Sequence, residues 1–168
     1  MIEIVTGDLL ESKAKYIAHQ CNCITQNSAG TALSIFDRFP YANTYALRKA
    51  DDNGKTISTD VPGTIAILGD GKDQRYVINM YAQFYPGKPK YPQSSLDGTA
   101  IRLTYFYKCL LRIAKIPDLE SIAFPWRIGC NLGGGDWERY LGNITNFAQF
   151  VKEKHGAQVY IYRREGDE

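Results

Sequence analysis

No uninterrupted apolar run in this chain of 168 residues approaches the ~18 to 20 residues that a bilayer-spanning helix needs, so no membrane partner is expected. The opening stretch, MIEIVTGDLL, carries acidic residues where a secretory leader would be basic, and an intracellular protein, cytoplasmic or nuclear, is expected. Charge of one sign is also scarce. Twenty basic against eighteen acidic residues leave a formal +2, too little for counterion-driven binding to long nucleic acid. Any anionic ligand must therefore be held by local groups. Cysteine is limited to Cys21, Cys23, Cys109 and Cys130, and a domain of this size buries enough surface without staples, so all four read as reduced. With 44% hydrophobic and 23% charged residues the composition excludes a disordered, collagen-like or coiled-coil chain. Residues 1–168 read as one domain, expected to be a monomer.

Alternation and β-branching mark Ile2 to Thr6 and Tyr16 to Gln20 as strands. A polar small-residue loop, NCITQNSAG, then leads into a helix from Thr31 to Phe39, where Ala32, Ile35, Phe36 and Phe39 recur at helical spacing until Pro40. A second short helix is expected from Asn43 to Asp51, with Asn53-Gly54 as a turn. Thr64 to Leu68 and Tyr76 to Met80 flank the turn Gly69 to Asp73 and should pair as a hairpin. Gly98 to Ile113 reads as an amphipathic helix on Ile101, Leu103, Phe106, Leu110 and Ile113, followed by a strand from Ser121 to Phe124. A glycine-rich loop from Pro125 to Asp136 opens a helix from Trp137 to His155, which Gly156 ends. Gln158 to Tyr162 is a last strand, and Arg163 to Glu168 reads as a loose tail. Strands alternating with helices predict an α/β protein: a three-layer α/β/α sandwich on a mixed, mostly parallel sheet, with ligands beyond the carboxyl ends of the strands.

Two loops have the chemistry of an anion site. Gly129, Gly133, Gly134 and Gly135 have no side chain, so backbone N–H groups can converge on a phosphate near a helix N-terminus. Ser28, Ala29 and Gly30 repeat the argument ahead of the helix at Thr31. Ordinary tight turns explain the same glycines. GxxxxGK[ST] and GxGxxG are both absent, which disfavours an NTPase or a dinucleotide oxidoreductase. His19, Cys21 and Cys23 alternate and so could share a face as metal ligands, but cysteine packs readily as a small hydrophobe, and core packing is the preferred reading. No clustered carboxylates suggest a divalent metal, and no cofactor is expected.

In this order and spacing, Thr6-Gly7-Asp8-Leu9-Leu10, HQCNC (His19 to Cys23), SAGTA (Ser28 to Ala32) and RIGCNLGGGDWE (Arg127 to Glu138) resemble the macro domain, the ADP-ribose-binding module. The resemblance spans nearly the whole chain and is strongest to the branch of ADP-ribose 1''-phosphate phosphatases and the terminal ADP-ribose protein glycohydrolase. It implies that Asp8 accepts the adenine amino group, with Leu9 at the same end, and that Asn22 faces the distal ribose. It also implies that Ser28, Ala29, Gly30, Thr31 and Ala32 cradle the diphosphate together with Gly129 to Gly133. Gln20, Gln83, Pro125, Ile128, Cys130, Asn131 and Leu132 complete the implied ligand-binding set. Tyr162 is a candidate to lie against adenine, or a buried strand tyrosine.

The lysine and aspartate of the terminal glycohydrolase fall at Gln83 and Gly133. Glutamine forms no Schiff base and glycine takes no proton, so that covalent route is not expected. His19 with Asn22 matches the phosphatase-like pattern, in which the imidazole would move a proton during loss of the 1''-phosphate. A satisfied core histidine is the competing reading of His19; Asp136, the only acid inside the second loop, could orient a water, and helix capping is its competing reading. Lys88 and Lys90, out of register with the family lysine, lie in YPGKPKYP, read as a mobile surface loop with a lid as the alternative. The expected function is a hydrolase of ADP-ribose derivatives, removing the 1''-phosphate or an ADP-ribosyl group; the alternatives are a non-catalytic reader of free ADP-ribose or of ADP-ribosylated protein or nucleic acid, and a binder of RNA ends through Phe84 to Tyr91.

Overall fold

The computed structural model describes residues 1–167. Six strands form the main sheet: β1 (Ile2–Thr6), β2 (Tyr16–Cys21), β5 (Thr64–Leu68), β6 (Tyr76–Tyr81), β7 (Ser121–Pro125) and β8 (Gln158–Arg163). Their order is β1-β8-β7-β2-β6-β5. Every neighbouring pair is parallel except β5 with β6, the expected hairpin. The helices are α1 (Gly30–Arg38), α2 (Thr99–Ile113) and α3 (Trp137–His155).

Strand alternation builds two cores, one on each sheet face. Ala18, Ile78, Met80, Ile122, Phe124 and Ile161 pack with Phe106 and Leu110 of α2 and with Ile144 and Phe147 of α3. Ile17, Val77, Tyr81 and Ala123 pack with Ile35 and Phe36 of α1 and with Tyr45. The three-layer mixed sandwich is therefore present as the sequence reading has it. The α3 boundaries agree with that reading: Asp136 caps it by accepting from the Glu138 amide at 3.1 Å, and left-handed Gly156 (φ 66°) ends it.

Two local expectations fail. Asn43 to Asp51 is not a helix but a 3-10 turn, Thr44–Leu47, followed by the two-residue strand β3 (Lys49–Ala50), which pairs with β4 (Thr56–Ile57). Arg48 between them is extended, because its guanidinium is drawn into the protein by hydrogen bonds to Asn22, Thr25 and Asp60. The tail begins one residue later than expected, because Arg163 belongs to β8. Arg163 pairs with Thr6 at the end of β8 and lies 4.6 Å over the Trp126 ring, and the Asp167 carboxylate accepts from the Arg164 amide at 2.8 Å. Glu168 lies outside the described residues. No described helix is long and apolar enough to cross a membrane.

Candidate functional site

Because β1, β2, β6, β7 and β8 run the same way, the loops leaving their carboxyl ends meet along one edge of the sheet. Two cavities, of about 290 and 380 Å³, open there. Both are lined by Thr31, Pro125, Trp126, Asn131 and Arg164, so they are halves of one cleft.

One half is bounded by Gly7, Asp8, Leu9 and Tyr162. Asp8 accepts from the Leu10 amide through Oδ1 at 3.0 Å, which caps the short turn Leu9–Glu11 and leaves Oδ2 for another donor. The half-buried Tyr162 ring lies against Gly7, where an added Cβ would be 3.8 Å from the ring.

In the middle, α1 ends uncapped. Its N-cap is Ala29, which supplies no side-chain acceptor, and the amides of Gly30, Thr31 and Ala32 have no hydrogen-bond partner among the described residues. The second loop faces this terminus. Arg127 and Gly129 are both left-handed (φ 60° and 76°), the chain doubles back, and Gly135 donates to the Gly129 carbonyl at 2.9 Å. That turn leaves the amides of Gly129, Asn131, Leu132 and Gly133 without partners among the described residues. The loops nearly touch: a Cβ on Gly30 would stand 2.7 Å from Leu132 Cδ1. Seven backbone donors and the positive end of a nine-residue helix thus border one narrow cleft, which is the chemistry of a phosphate or diphosphate site.

The other half is lined by Gln20, Asn22, Tyr45 and Gln83. Gln20 Nε2 donates to Gln83 Oε1 at 2.8 Å, and Gln83 Nε2 donates to the Tyr85 carbonyl at 2.8 Å. Gln20 Oε1 is buried without a hydrogen-bond partner. Among the described residues lining this half there is no carboxylate, imidazole, thiol or lysine.

Two buried arginines hold the loops in place. Arg102 grips the Asp97 carboxylate (2.6 and 3.0 Å) and donates to the carbonyls of Tyr85, Gly87 and Gly133. Asp97 also accepts from the amides of Phe84 and Tyr85. Tyr85 to Gly87 is therefore tied to the second glycine loop rather than free, which corrects the expectation of a mobile loop for this part. Arg48 plays the matching part at the first loop, bonded to Asn22, Thr25 and Asp60.

Of the residues singled out from sequence, sixteen line the cleft and three do not. Ser28 lies just before the N-cap, outside the lining. Cys130 turns inward, 7% exposed, with its amide bonded to Arg127 and its thiol to Ile128. His19 is the important correction. The period of two along β2 turns it away from Gln20 and under α1, edge-on to Phe36 and 0% exposed. Asn79 donates its amide to the Ala42 carbonyl, so its Oδ1 accepts from His19 Nε2–H at 2.7 Å, which fixes a neutral tautomer. Burial holds the imidazole pKa down to about 4, against a smaller opposing effect of the Asn79 hydrogen bond. Such a group reaches no ligand in the cleft. Cys21 and Cys23 are buried in the same core, and among the described residues no group of three or more His, Cys, Asp or Glu is placed to hold a metal ion. Sequence reasoning missed Asn27, Tyr45, Trp126, Arg127 and Arg164, among others, in the lining, and both buried arginines.

The low pKa of His19 carries a sign. The unfolded imidazole titrates near 6.5, so the stability of the neutral buried form is complete above that pH and is lost as pH falls toward 4. At roughly 1.4 kcal/mol per pH unit, the loss is about 3 kcal/mol. Urea unfolding from pH 7 to pH 4 should show this extra loss in the natural chain and not in His19→Gln. Parallel profiles would mean that the imidazole is open to solvent.

A six-stranded mixed sheet with helices on both faces and a cleft at the carboxyl ends of its parallel strands, in this strand order, is the macrodomain fold. The sequence matches no protein-family model and no curated protein. Among solved structures it is similar to the macrodomain of Mycobacterium tuberculosis DarG, with a TM-score of 0.70 at 21% identity over 96% of this chain and 97% of that one. The macrodomain of Thermus aquaticus DarG aligns with a TM-score of 0.64 at 21% identity, over 97% and 98% of the two chains. A Trypanosoma brucei macrodomain solved in complex with ADP-ribose aligns with a TM-score of 0.64 at 14% identity, over 96% of this chain and 63% of that one.

Proposed function

We propose that this chain binds ADP-ribose, free or attached to a protein or nucleic acid, and acts by recognition rather than by hydrolysis. One observation carries the ligand class: the uncapped α1 amides and the free amides of the Gly129 to Gly133 loop border the same cleft. A diphosphate placed between them supplies the acceptors that both loops lack, and backbone donors need no basic surface, in keeping with a net charge of +2. Adenine then falls between Tyr162 and the free oxygen of Asp8, where a carboxylate reads an exocyclic N–H. The second ribose falls at Asn22, Gln20 and Gln83.

Hydrolysis of a 1''-phosphate or an ADP-ribosyl ester would need a group to move a proton at that distal end. The lining there offers none that titrates near neutrality, and His19 is sealed beneath it. Recognition is thus the reading that the cleft chemistry favours. Calorimetry should give a Kd of about micromolar for ADP-ribose. Asp8→Asn preserves the cap on Leu10 but weakens the acceptor, and should lower affinity about tenfold. Absence of binding would remove the ligand class. Release of phosphate from ADP-ribose 1''-phosphate, or of ADP-ribose from a modified protein, would restore the hydrolase reading.

A further inference from the structure

We infer that Arg48 is a positioning residue that locks the Asn22 main chain and carboxamide in place, so that Asn22 Nδ2 is held as an N–H donor facing the distal end of the cleft and selects a ligand group that accepts. The inference deepens the ADP-ribose reading and rests on it.

Asn22 is 8% exposed and held at three points. Its amide donates to the Tyr45 hydroxyl at 2.7 Å, and its carbonyl accepts from Arg48 Nη2 at 2.7 Å. Its side-chain Oδ1 accepts from the amides of Ile24 and Thr25, the Thr25 hydroxyl and Arg48 Nη1, at 3.0, 2.9, 3.0 and 3.2 Å. A carboxamide oxygen has two lone pairs, and four donors saturate it. Rotating the amide by half a turn would point its NH2 at those donors and at a buried cation. Only one orientation survives, and Nδ2, which has no partner among the described residues, is left to face the cleft that Asn22 lines.

The guanidinium is itself fixed. Its side chain is 3% exposed, it lies 4.4 Å over the Tyr45 ring, and it donates to Asp60 Oδ2 at 2.7 Å and to the Thr25 carbonyl at 2.8 Å. Arg48 stands 26 residues from Asn22, so the loop and the segment after Thr44–Leu47 are locked as one unit. Lysine keeps the charge but not the fork, and cannot hold the Asn22 carbonyl, Oδ1 and Asp60 together.

The test compares affinities for ADP-ribose and ADP, which differ by the distal ribose, in the natural chain and in Arg48→Lys, with thermal unfolding of each. The natural chain should prefer ADP-ribose. In Arg48→Lys that preference should fall about five- to tenfold, while ADP affinity stays within about twofold. If Arg48→Lys does not fold, Asp60→Asn loosens the same guanidinium and should lower the preference about two- to threefold. An unchanged preference in the folded variant, an equal loss for both ligands, or a natural chain that does not prefer ADP-ribose overturns the role of Arg48 and leaves the ADP-ribose reading standing. A natural chain that binds neither ligand overturns that reading itself.

Discussion

Replacing Arg102 by methionine is expected to cost the fold about 3 to 5 kcal/mol, because it strands a buried carboxylate. Arg102 is 2% exposed, and all five of its N–H groups are used: Nε and Nη2 on the two oxygens of Asp97, Nη1 on the carbonyls of Gly87 and Gly133, and the second Nη2 hydrogen on the carbonyl of Tyr85. Methionine fills much of the volume and offers none of these donors. Three carbonyls and one carboxylate are then buried short of partners, and the Asp97 side chain, 6% exposed, has little water to turn to. The amides of Phe84 and Tyr85 still reach Asp97, which limits the damage. Neutralising the stranded acid should recover part of the loss, so Arg102→Met with Asp97→Asn should be more stable than Arg102→Met alone. Urea unfolding at neutral pH measures both differences. A loss below about 1 kcal/mol, or a double variant no better than the single one, would mean that the pair is hydrated and worth no more than a surface ion pair.

Arg102 also shows why parts of this molecule were legible in sequence and others were not. The hairpin, the glycine loops and the limits of α3 are local chemistry: alternation, missing side chains, an Asp cap and a left-handed Gly156. The buried arginines are tertiary. On α2 the apolar spacing pointed inward at Ile101 and Leu103, but the buried stripe runs through Arg102, Phe106, Cys109, Leu110 and Ile113. Arg102 keeps helical phase with that stripe at four, seven, eight and eleven residues, and this was the available signal. Charge overrode it, since an arginine is buried only when a partner 5 residues upstream and three distant carbonyls receive it. The helix expected at Asn43 to Asp51 failed for a related reason: the extended backbone at Arg48 is set by contacts with Asn22, Thr25 and Asp60, none of them within helical reach. His19 could have been placed in advance, because Ile17 and Cys21 share its strand face and both lie in the core.

The larger effect on binding is expected at Gly129, where Ala should lower ADP-ribose affinity at least about a hundredfold by disturbing two or more charge-assisted backbone contacts. Gly129 is left-handed at φ 76°, a conformation that costs an L-residue about 1 kcal/mol. Its missing Cβ would stand 2.5 Å from Tyr140 Cε2 and 2.7 Å from Gln20 Oε1. Neither neighbour can give way easily. The Tyr140 ring is 2% exposed and packed on Phe106 at 4.7 Å, and Gln20 is tied to Gln83. The backbone must therefore move, and with it the Gly129 carbonyl that receives the Gly135 amide and the unpartnered amides that follow. Gly30→Ala supplies the contrast. It too is left-handed, at φ 58°, but its Cβ would meet only Leu132 Cδ1, the end of a side chain 58% exposed and able to swing outward. Its loss should be about tenfold or less. Calorimetry on the two variants, each with its unfolding curve, checks the ranking. Equal affinities for ADP-ribose in Gly129→Ala and the natural chain would mean that the second loop does not touch the ligand, and the diphosphate would have to lie on the α1 terminus alone.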